Sequence, residues 1–486
     1  MLALLPVLSA CLIGCLAMRW LRPADGAGPA WAAALFHASL GVGFGIGFAS
    51  IVFFLLVTAG LAAASVILAT DLALLLALLA ALYLRSRRGA QSARSTPSQP
   101  RTPGFRYNWA LALALSVCLI FVLSGMRSQA AANPHGGWDA YAIWNLRARF
   151  LAGPGDTWRH AISPLLDKTH PDYPLLLSGF IARSWKVAGN YHIVAPLATA
   201  LLFFLSALGL LVSALALLRG ASTGLLASLV LMAGYTYLNQ PWSQYSDVPL
   251  SFYYLAAIAL ASLAMTPGGK GKPLLLVLAG LAAGFAAWTK NEGLLFIAAF
   301  GLCYSFTELL FSGWKQAMKR SLWMALGMMP GLLLAGWLKF ALAPVADPVV
   351  REGHDRIAKG VASQSNLLRV WRWSTQSLLT FGYTPFTHPL LPLAALAAAL
   401  RISLARSFRP AVLSGGATLL LVFAGYVVVS IGAFTPFDRF YSQLFPALLF
   451  VFFLALRAPE ECAAAATPDQ PAAGSLKKSR KKKARS

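Results

Sequence analysis

Long apolar segments recur along almost the whole chain and restrict its fold more than any other feature. Uninterrupted apolar runs of about 18 or more residues are typical of transmembrane helices. Segments of roughly this kind occupy residues 1–18, 31–58, 61–84, 107–125, 193–218, 222–243, 248–266, 273–289, 293–312, 321–344, 385–402, 411–433 and 440–457. Charged residues make up only 12% of the sequence, against roughly 25% in soluble domains. We therefore predict an all-α polytopic membrane protein with about 13 transmembrane helices and exclude a water-soluble globule.

The basic residues indicate which loops face the cytoplasm, because lysine and arginine concentrate in the cytoplasmic loops of membrane proteins. The chain has 40 of them and only 16 acidic residues. With the N-terminus outside and the C-terminus inside, 25 of the 40 lie on the inner side. We therefore expect a multi-pass protein of the bacterial inner membrane with a cytoplasmic C-terminus. The net charge of +24 is interpreted as a topological signal and not as nucleic-acid binding.

The apolar segment 173–189 is the doubtful case. Its 17 residues would span about 25 Å as a helix, less than the ~30 Å hydrocarbon core. It also contains Arg183 and Lys186. If it crossed the membrane, the two most basic segments, the linker 85–106 and the tail, could not both be cytoplasmic. We predict that this segment is a helix in the outer membrane interface.

The topology divides the chain into four parts. They are a three-span accessory region 1–84, a cytoplasmic linker 85–106, a main membrane domain 107–457 and a basic cytoplasmic tail 458–486. The main domain has two long periplasmic loops, 126–192 with interfacial helices and 346–384.

Two features inside the early spans are interpreted as structural. Overlapping GxxxG pairs within 41–47 predict close packing of this helix against its neighbours. Asp71 lies inside the third span, where a lone carboxylate is costly, so we expect it to pair within the bundle. His37 of the neighbouring span is the suggested partner.

Ionisable and aromatic residues recur on the predicted outer face, in GGWDAYAIWNLRARF (136–150), in HPDYP (170–174) and at three later span boundaries. The candidate site residues are Asp139, Arg147, Arg149, His170, Asp172, Tyr173, Asp247, Lys290, Glu292 and Arg439. Each taken singly could be an ordinary anchor or helix cap. Together, ionisable groups at membrane depth are functional candidates, and they can converge only if the spans form one bundle.

Group transfer from a phosphate leaving group would use this set of residue types. Cations near the leaving oxygen stabilise the negative charge that grows there, and Arg147, Arg149, Lys290 and Arg439 could supply them. An acceptor hydroxyl needs one ionised carboxylate as general base. Asp139 is the candidate for that role.

The order of these motifs resembles the GT-C superfamily, the polyprenyl-phosphate-sugar-dependent glycosyltransferases that include aminoarabinose transferases and protein O-mannosyltransferases. The resemblance covers about 107–457. It rests on the outer loop with its early Asp and trailing Arg, a Pro-rich motif before the next helix, an SxxSDxPL boundary (243–250), a GxxxGxxxxTK segment (280–290) and Arg439 among aromatic residues at the start of the last span.

The resemblance implies a GT-C-like catalytic membrane domain and an active site on the periplasmic side. A sugar would pass, with inversion, from a polyprenyl-phosphate donor to a lipid, glycan or protein acceptor. Asp139 corresponds to the catalytic Asp of the family, and Lys290 and Arg439 correspond to its conserved basic positions. The Pro-rich motif departs from the family: this chain has PDYP (171–174) where aminoarabinose transferases have Glu-Lys-Pro-Pro. The phosphate-binding role of that lysine would then fall to Arg147, His170 or Lys290.

Other functions remain as alternatives. A polytopic transporter or flippase of envelope glycolipid precursors is the main one, and a non-catalytic scaffold for envelope assembly is a third. No cofactor is required, and a divalent metal is the less favoured possibility because the acids and histidines lack a characteristic ligand spacing. The residues that could hold one are Asp139, Asp172, Asp247, His135, His160, His170 and His354.

Overall fold

The computed structural model describes residues 2–24, 28–90, 107–266, 273–343, 353–380, 390–402, 405–433 and 437–466. These residues form helices and contain no β-strand beyond one isolated bridge between Ile402 and Leu456. The predicted all-α fold is therefore confirmed for the part of the chain that the structure describes. Most of the linker 85–106, part of the loop 346–384 and the tail beyond residue 466 lie outside it.

Nineteen α-helices follow one another within the described residues. The first nine are α1 (Leu5–Leu21), α2 (Ala30–Thr58), α3 (Ala64–Ala90), α4 (Asn108–Ala132), α5 (Asn145–Ala152), α6 (Leu176–Ala188), α7 (Val194–Leu218), α8 (Ala221–Met232) and α9 (Tyr235–Ser243). The others are α10 (Asp247–Met265), α11 (Pro273–Thr289), α12 (Glu292–Ser312), α13 (Trp314–Trp337), α14 (Gly353–Ala362), α15 (Gln364–Thr380), α16 (Leu390–Leu400), α17 (Arg409–Ala433), α18 (Phe437–Ala455) and α19 (Pro459–Ala466).

Short helical turns complete the described chain. Three 3₁₀ segments are Leu2–Leu4, Gly155–Ile162 and Pro164–Thr169, and two π-helical turns are Ala140–Trp144 and Leu338–Leu342.

Nine helices of the described residues are long and apolar enough to cross a membrane: α1, α2, α3, α4, α7, α10, α12, α13 and α17, of which α1 and α13 are counted with the short helical turn that adjoins each. The bent pair α8 and α9 would make a tenth span, although its two helices meet at 73°. Two further apolar helices, α11 and the part of α18 from Arg439 to Ala455, are shorter. The chain is thus an all-α polytopic membrane protein, and the sequence predicts 13 spans where the described helices give nine or ten. The difference lies in the short and bent helices and in α16, which is preceded by the undescribed residues 381–389.

The glycines of α2 allow the close packing that the GxxxG pairs predict. A Cβ atom at Gly45 would lie 2.1 Å from the carbonyl oxygen of Ala10, so α1 and α2 touch through their backbones. On another face of α2, a Cβ at Gly43 would lie 2.0 Å from the Phe252 ring of α10. The packing prediction is confirmed.

Helix α2 also joins the first spans to the main membrane domain. It packs against α6 and α7. Tyr253 of α10 donates a hydrogen bond to the Gly43 carbonyl at 2.8 Å, and the Trp288 indole of α11 donates to Ser50 at 3.4 Å. The region 1–84 and the domain 107–457 therefore share one core, and a separate accessory role for 1–84 stays a prediction.

The segment 173–189 contains α6, a helix of 13 residues that is enclosed by protein over most of its length. Its Arg183 forms a buried ion pair with Asp71 of α3 and also donates to the Pro6 carbonyl at 2.6 Å. Ser9 donates a second hydrogen bond to Asp71. The prediction that Asp71 pairs with His37 is wrong, because α6 brings the arginine closer. At about 1.5 Å per residue, α6 is too short to cross a membrane.

Polar networks occupy both ends of the same helices. Helix α12 runs from Glu292 to Ser312, about 30 Å at 1.5 Å per residue. Glu292 belongs to the network described below, whereas Glu308 near the other end pairs with Arg320 at 2.6 Å. At that second end, Arg219 pairs with Glu461 of α19 at 3.2 Å. The first residues of the segment predicted as a tail are therefore a helix that packs on the bundle.

Candidate functional site

A buried carboxylate stands at the centre of the candidate site. Asp247 begins α10, and its side chain has no solvent exposure. Its Oδ2 accepts hydrogen bonds from Arg439 Nη2 at 2.8 Å and from Nε at 3.2 Å. Its Oδ1 accepts from Lys290 Nζ at 3.3 Å and from Gln443 Nε2 at 2.5 Å. Residues that are far apart in the sequence thus meet at one end of the bundle.

Two more carboxylates extend this centre into a chain of alternating charges. Arg439 Nη2 lies 2.7 Å from Asp139 Oδ2, and Lys290 Nζ lies 2.8 Å from Glu292 Oε1. The order in space is Asp139, Arg439, Asp247, Lys290, Glu292. We call these five residues the acid–base network. The span boundaries that carry these five residues thus meet at one place. That this place faces outward and binds a substrate stays a prediction.

Solvent reaches the network most readily at its Asp139–Arg439 end. The Arg439 and Asp139 side chains are 24% and 13% exposed, whereas Lys290 and Asp247 are 6% and 0% exposed. Burial lowers the pKa of Lys290, but the carboxylates of Asp247 and Glu292 more than offset this and raise it above its ordinary value. Lys290 is therefore a fixed cation. The two terminal carboxylates are both partly accessible, Asp139 at 13% and Glu292 at 15% exposure. Asp139 is the one that adjoins the more exposed cation, Arg439.

Two glycines bring Asp139 to the network. Gly136 has φ +76°, a left-handed conformation that favours glycine, and a Cβ there would lie 2.6 Å from the Ser243 carbonyl oxygen. The Gly137 amide donates a hydrogen bond to that same oxygen at 3.0 Å. The first loop therefore lies directly on the turn between α9 and α10, and Asp139 follows at the start of the π-helical turn. Such turns are frequent at functional sites.

Tyr245 is a site residue that the sequence did not point to. Its ring lies 4.6 Å from the Arg439 guanidinium, a distance at which a cation and an aromatic face attract. Burial raises the pKa of its phenol, and the neighbouring Asp139 carboxylate raises it further. The phenol is therefore neutral at physiological pH and able to donate a hydrogen bond. Its position two residues before Asp247 is the one signal that could have suggested it.

The PDYP motif lies next to the acid–base network and has a different cation from those predicted. Asp172 is buried and accepts from Lys339 Nζ at 3.1 Å and from Asn291 Nδ2 at 2.8 Å. Among the described residues, its second carboxylate oxygen has no hydrogen-bond partner. Lys339 lies in the π-helical turn that follows α13 and is not among the candidates that the sequence offered. The phosphate-binding role predicted for Arg147, His170 or Lys290 stays a prediction.

Three rings stack beside this motif. The Tyr173 ring lies between those of His170 and Trp144, with centroid distances of 4.5 and 5.8 Å and nearly parallel planes. Lys290 Nζ lies 6.0 Å from the Tyr173 centroid. Trp144 is buried, whereas Trp138 of the same stretch is half exposed. The stack thus forms a rigid wall next to Lys290.

Two of the candidate arginines, Arg147 and Arg149, are not part of the acid–base network. Arg147 is fully buried, and its Nε and Nη2 donate to the carbonyl oxygens of Ala161 and Pro171 at 2.9 and 3.1 Å. Burial lowers its pKa to about 9. The guanidinium of Arg149 lies 5.3 Å from the Tyr191 ring, in a separate cavity of about 360 Å³. Arg147 therefore holds the loop in shape, and neither residue is placed at Asp139.

Packing accounts for the glycines of the GxxxGxxxxTK segment. A Cβ at Gly280 would lie 1.9 Å from the Met324 carbonyl oxygen, and one at Gly331 of α13 would lie 2.0 Å from the Gly284 carbonyl oxygen. Helices α11 and α13 thus meet through their backbones. This contact fixes the end of α11 and, with it, Lys290.

Gln443, the remaining hydrogen-bond donor to Asp247, follows Arg439 by one helical turn and so lies on the same face of α18. That spacing could have suggested it.

Within the described residues, no three His, Cys, Asp or Glu side chains are close enough together to hold a metal ion. The side chain of His354, one of the residues considered as a metal ligand, is not among those that the structure describes.

Comparison with family models, curated proteins and solved structures finds no match for this chain.

Proposed function

We propose that this protein is a membrane glycosyltransferase. It would move a sugar from a polyprenyl-phosphate donor to a lipid, glycan or protein acceptor on the periplasmic face, without a cofactor and without contact with nucleic acid. The observation that carries the proposal is the acid–base network, in which a partly accessible carboxylate, Asp139, adjoins fixed cations at one end of an apolar bundle. A lipid-linked donor and a polar acceptor can both reach such a boundary.

In the proposed reaction, an acceptor hydroxyl oxygen attacks the anomeric carbon and its proton passes to Asp139. The bond between that carbon and the phosphate oxygen breaks, and the polyprenyl phosphate leaves with the electron pair. Arg439 and Lys290 would stabilise the charge on the leaving phosphate. One carboxylate on the acceptor side is sufficient for a single inverting displacement.

The pairing of Asp139 with Arg439 would make donor binding precede activation of the base. Arg439 Nη2 is shared between Asp139 and Asp247, at 2.7 and 2.8 Å. An arriving phosphate must compete with Asp139 for the same guanidinium. The exchange would free the Asp139 carboxylate as a base only when the donor is in place, which limits side reactions with water.

The proposal includes a GT-C-like architecture with 13 spans. The bent pair α8–α9, the two shorter apolar helices and the segment that contains α16 would cross in addition to the nine long helices. The N-terminus would then face the periplasm and the C-terminus the cytoplasm. Reporter fusions after residues 100, 160 and 480 test this, with inside, outside and inside as the expected result. An inside report at 160 would contradict the topology.

The central test is transfer from a polyprenyl-phosphate sugar by purified protein in liposomes. Asp139→Asn keeps the size of the side chain and removes the base, so we expect transfer to fall by about 10²–10⁴-fold. Asp156→Asn is the matched control, because Asp156 is an exposed acid of the same loop, 81% exposed. Transfer by Asp139→Asn at the wild-type rate would exclude Asp139 as the base.

A transporter or flippase of glycolipid precursors is the second candidate function. Two observations favour it: the 73° bend between α8 and α9, and the buried Asp71–Arg183 pair inside the bundle. Broken helices and charges within the membrane are common in transporters. Movement of labelled donor lipid between leaflets, with no chemical transfer to any acceptor, would favour this function over the glycosyltransferase.

A further inference from the structure

A polar cavity lies at the opposite end of the bundle from the acid–base network. It has a volume of about 420 Å³ and is formed where α10, α12, α13 and α17 end or begin. Charged and hydroxyl side chains line it together with apolar ones. They include Glu308, Phe311, Ser312, Arg320, Arg406 and Ser407.

The charges of this cavity do not cancel. Glu308 is buried and receives Arg320 Nη1 at 2.6 Å, and the same nitrogen donates to Ser312 at 3.0 Å. Arg320 has further N–H donors beyond this nitrogen. No ion pair joins Arg406 to a carboxylate of the described residues. One carboxylate and two guanidinium groups leave the cavity with one uncompensated positive charge.

Exposed aromatic and apolar side chains lie close in the sequence to the cavity residues Phe311 and Ser312. Phe311 and Trp314 are 51% and 61% exposed, and Leu310 is 59% exposed. Aromatic side chains at this depth are typical of the boundary between headgroups and hydrocarbon in a membrane. Lys315 and Lys319 follow on α13, on the side expected to face the cytoplasm. The cavity thus opens where a lipid headgroup meets its acyl chains.

We propose that this cavity binds the phosphodiester headgroup of an anionic glycerophospholipid from the inner leaflet. The phosphate accepts hydrogen bonds from Arg406 and from the remaining N–H groups of Arg320, while Ser407 is placed to contact the glycerol or headgroup hydroxyls. A single negative charge neutralises the cavity. Basic pockets between membrane helices on the cytoplasmic side are suited to such headgroups.

The polar lining also indicates which lipids are disfavoured. A zwitterionic headgroup brings an ammonium or choline cation toward Arg406 and leaves the net charge of the cavity unchanged. Glu308 cannot attract that cation, because Arg320 already neutralises it. The preference for an anionic lipid therefore depends mainly on Arg406, whose side chain is exposed and can be replaced without opening the core.

The test uses the full-length protein in detergent and native mass spectrometry with added phosphatidylglycerol, phosphatidylcholine or inorganic phosphate. We expect one phosphatidylglycerol to be retained in preference to phosphatidylcholine. Arg406→Ala should weaken that retention about tenfold, the loss of one charge-assisted hydrogen bond. Arg406→Lys should restore part of it. Lys319→Ala, which removes a cation at the same end outside the cavity, should have no effect.

Three results would overturn the proposal. One is equal retention of the two lipids, and another is an unchanged preference in Arg406→Ala. The third is displacement of the lipid by inorganic phosphate at millimolar concentration, which would assign the cavity to free phosphate. Circular dichroism and elution volume of each variant confirm that the protein is folded. The outcome is independent of sugar transfer at the other end of the bundle.

Discussion

Two buried carboxylates, Asp71 and Asp247, are expected to differ in their sensitivity to the same conservative substitution. Asp71 has one cationic partner, Arg183, whose side chain is 3% exposed. Asp247 has two, Lys290 and Arg439. We expect Asp71→Asn to destabilise the protein more than Asp247→Asn, although Asp247 is the more deeply buried of the two carboxylates.

The magnitudes follow from the charge that each change leaves behind. Asp71→Asn removes the carboxylate that pairs with the buried Arg183 and leaves it two neutral acceptors, the Pro6 carbonyl and the new amide oxygen. Breaking a buried pair in this way costs about 3–5 kcal/mol. After Asp247→Asn, Arg439 still pairs with Asp139 and Lys290 with Glu292, so no cation is left alone. The cost is then that of weakened charged hydrogen bonds, roughly 1.5–3 kcal/mol.

Unfolding by sodium dodecyl sulfate in mixed micelles, followed by tryptophan fluorescence, measures the difference. A gap of about 2 kcal/mol between the two variants corresponds to roughly a thirtyfold difference in the unfolding constant. Asp156→Asn, on an exposed acid, should leave the curve unchanged. The reasoning is refuted if Asp247→Asn proves as destabilising as Asp71→Asn or more so.

Three further predictions address packing, protonation and the first loop. Gly45→Ala should destabilise the protein because its Cβ meets the Ala10 carbonyl, whereas Gly125→Ala, with open space around it, should not; detergent unfolding compares them. The raised pKa of Lys290 means that its stabilisation is fully present below its ordinary pKa of about 10.4 and lost only as pH rises through the higher folded value. The stability difference between wild type and Lys290→Met should therefore stay constant from about pH 7 to 10, and a decline in that range would contradict it. Arg147→Lys cannot span the two carbonyls that the guanidinium joins, so limited proteolysis between 153 and 172 should accelerate.

Local sequence patterns predicted the features of this protein that depend on neighbouring residues. The apolar runs predicted the helices, and the GxxxG pairs predicted that α2 would pack closely. The short length of 173–189 and its two cations argued against a span, and α6 is indeed only 13 residues long. Its enclosure by protein was not foreseen, because it depends on α2 and α3, which lie far away in the sequence.

Candidate residues were identified by type and position, and their partners were not. Asp139, Asp247, Lys290, Glu292 and Arg439 were each recognisable as polar groups at span boundaries. That Arg439 contacts two carboxylates, or that Arg147 is fully buried against two carbonyls, depends on where the first loop folds. Lys339 carried no distinguishing local pattern, and Tyr245 had only its position two residues before Asp247.

The sequence by itself determined that this protein resides in a membrane and at which positions along the chain polar residues occur. Hydrophobicity acts residue by residue, so a membrane-length apolar run forms a helix whatever its neighbours are. Only the tertiary structure decided which charges neutralise one another. A buried charge must find a partner within a few ångströms, and in this bundle the partners lie far apart in the sequence, 192 residues for Asp247 and Arg439.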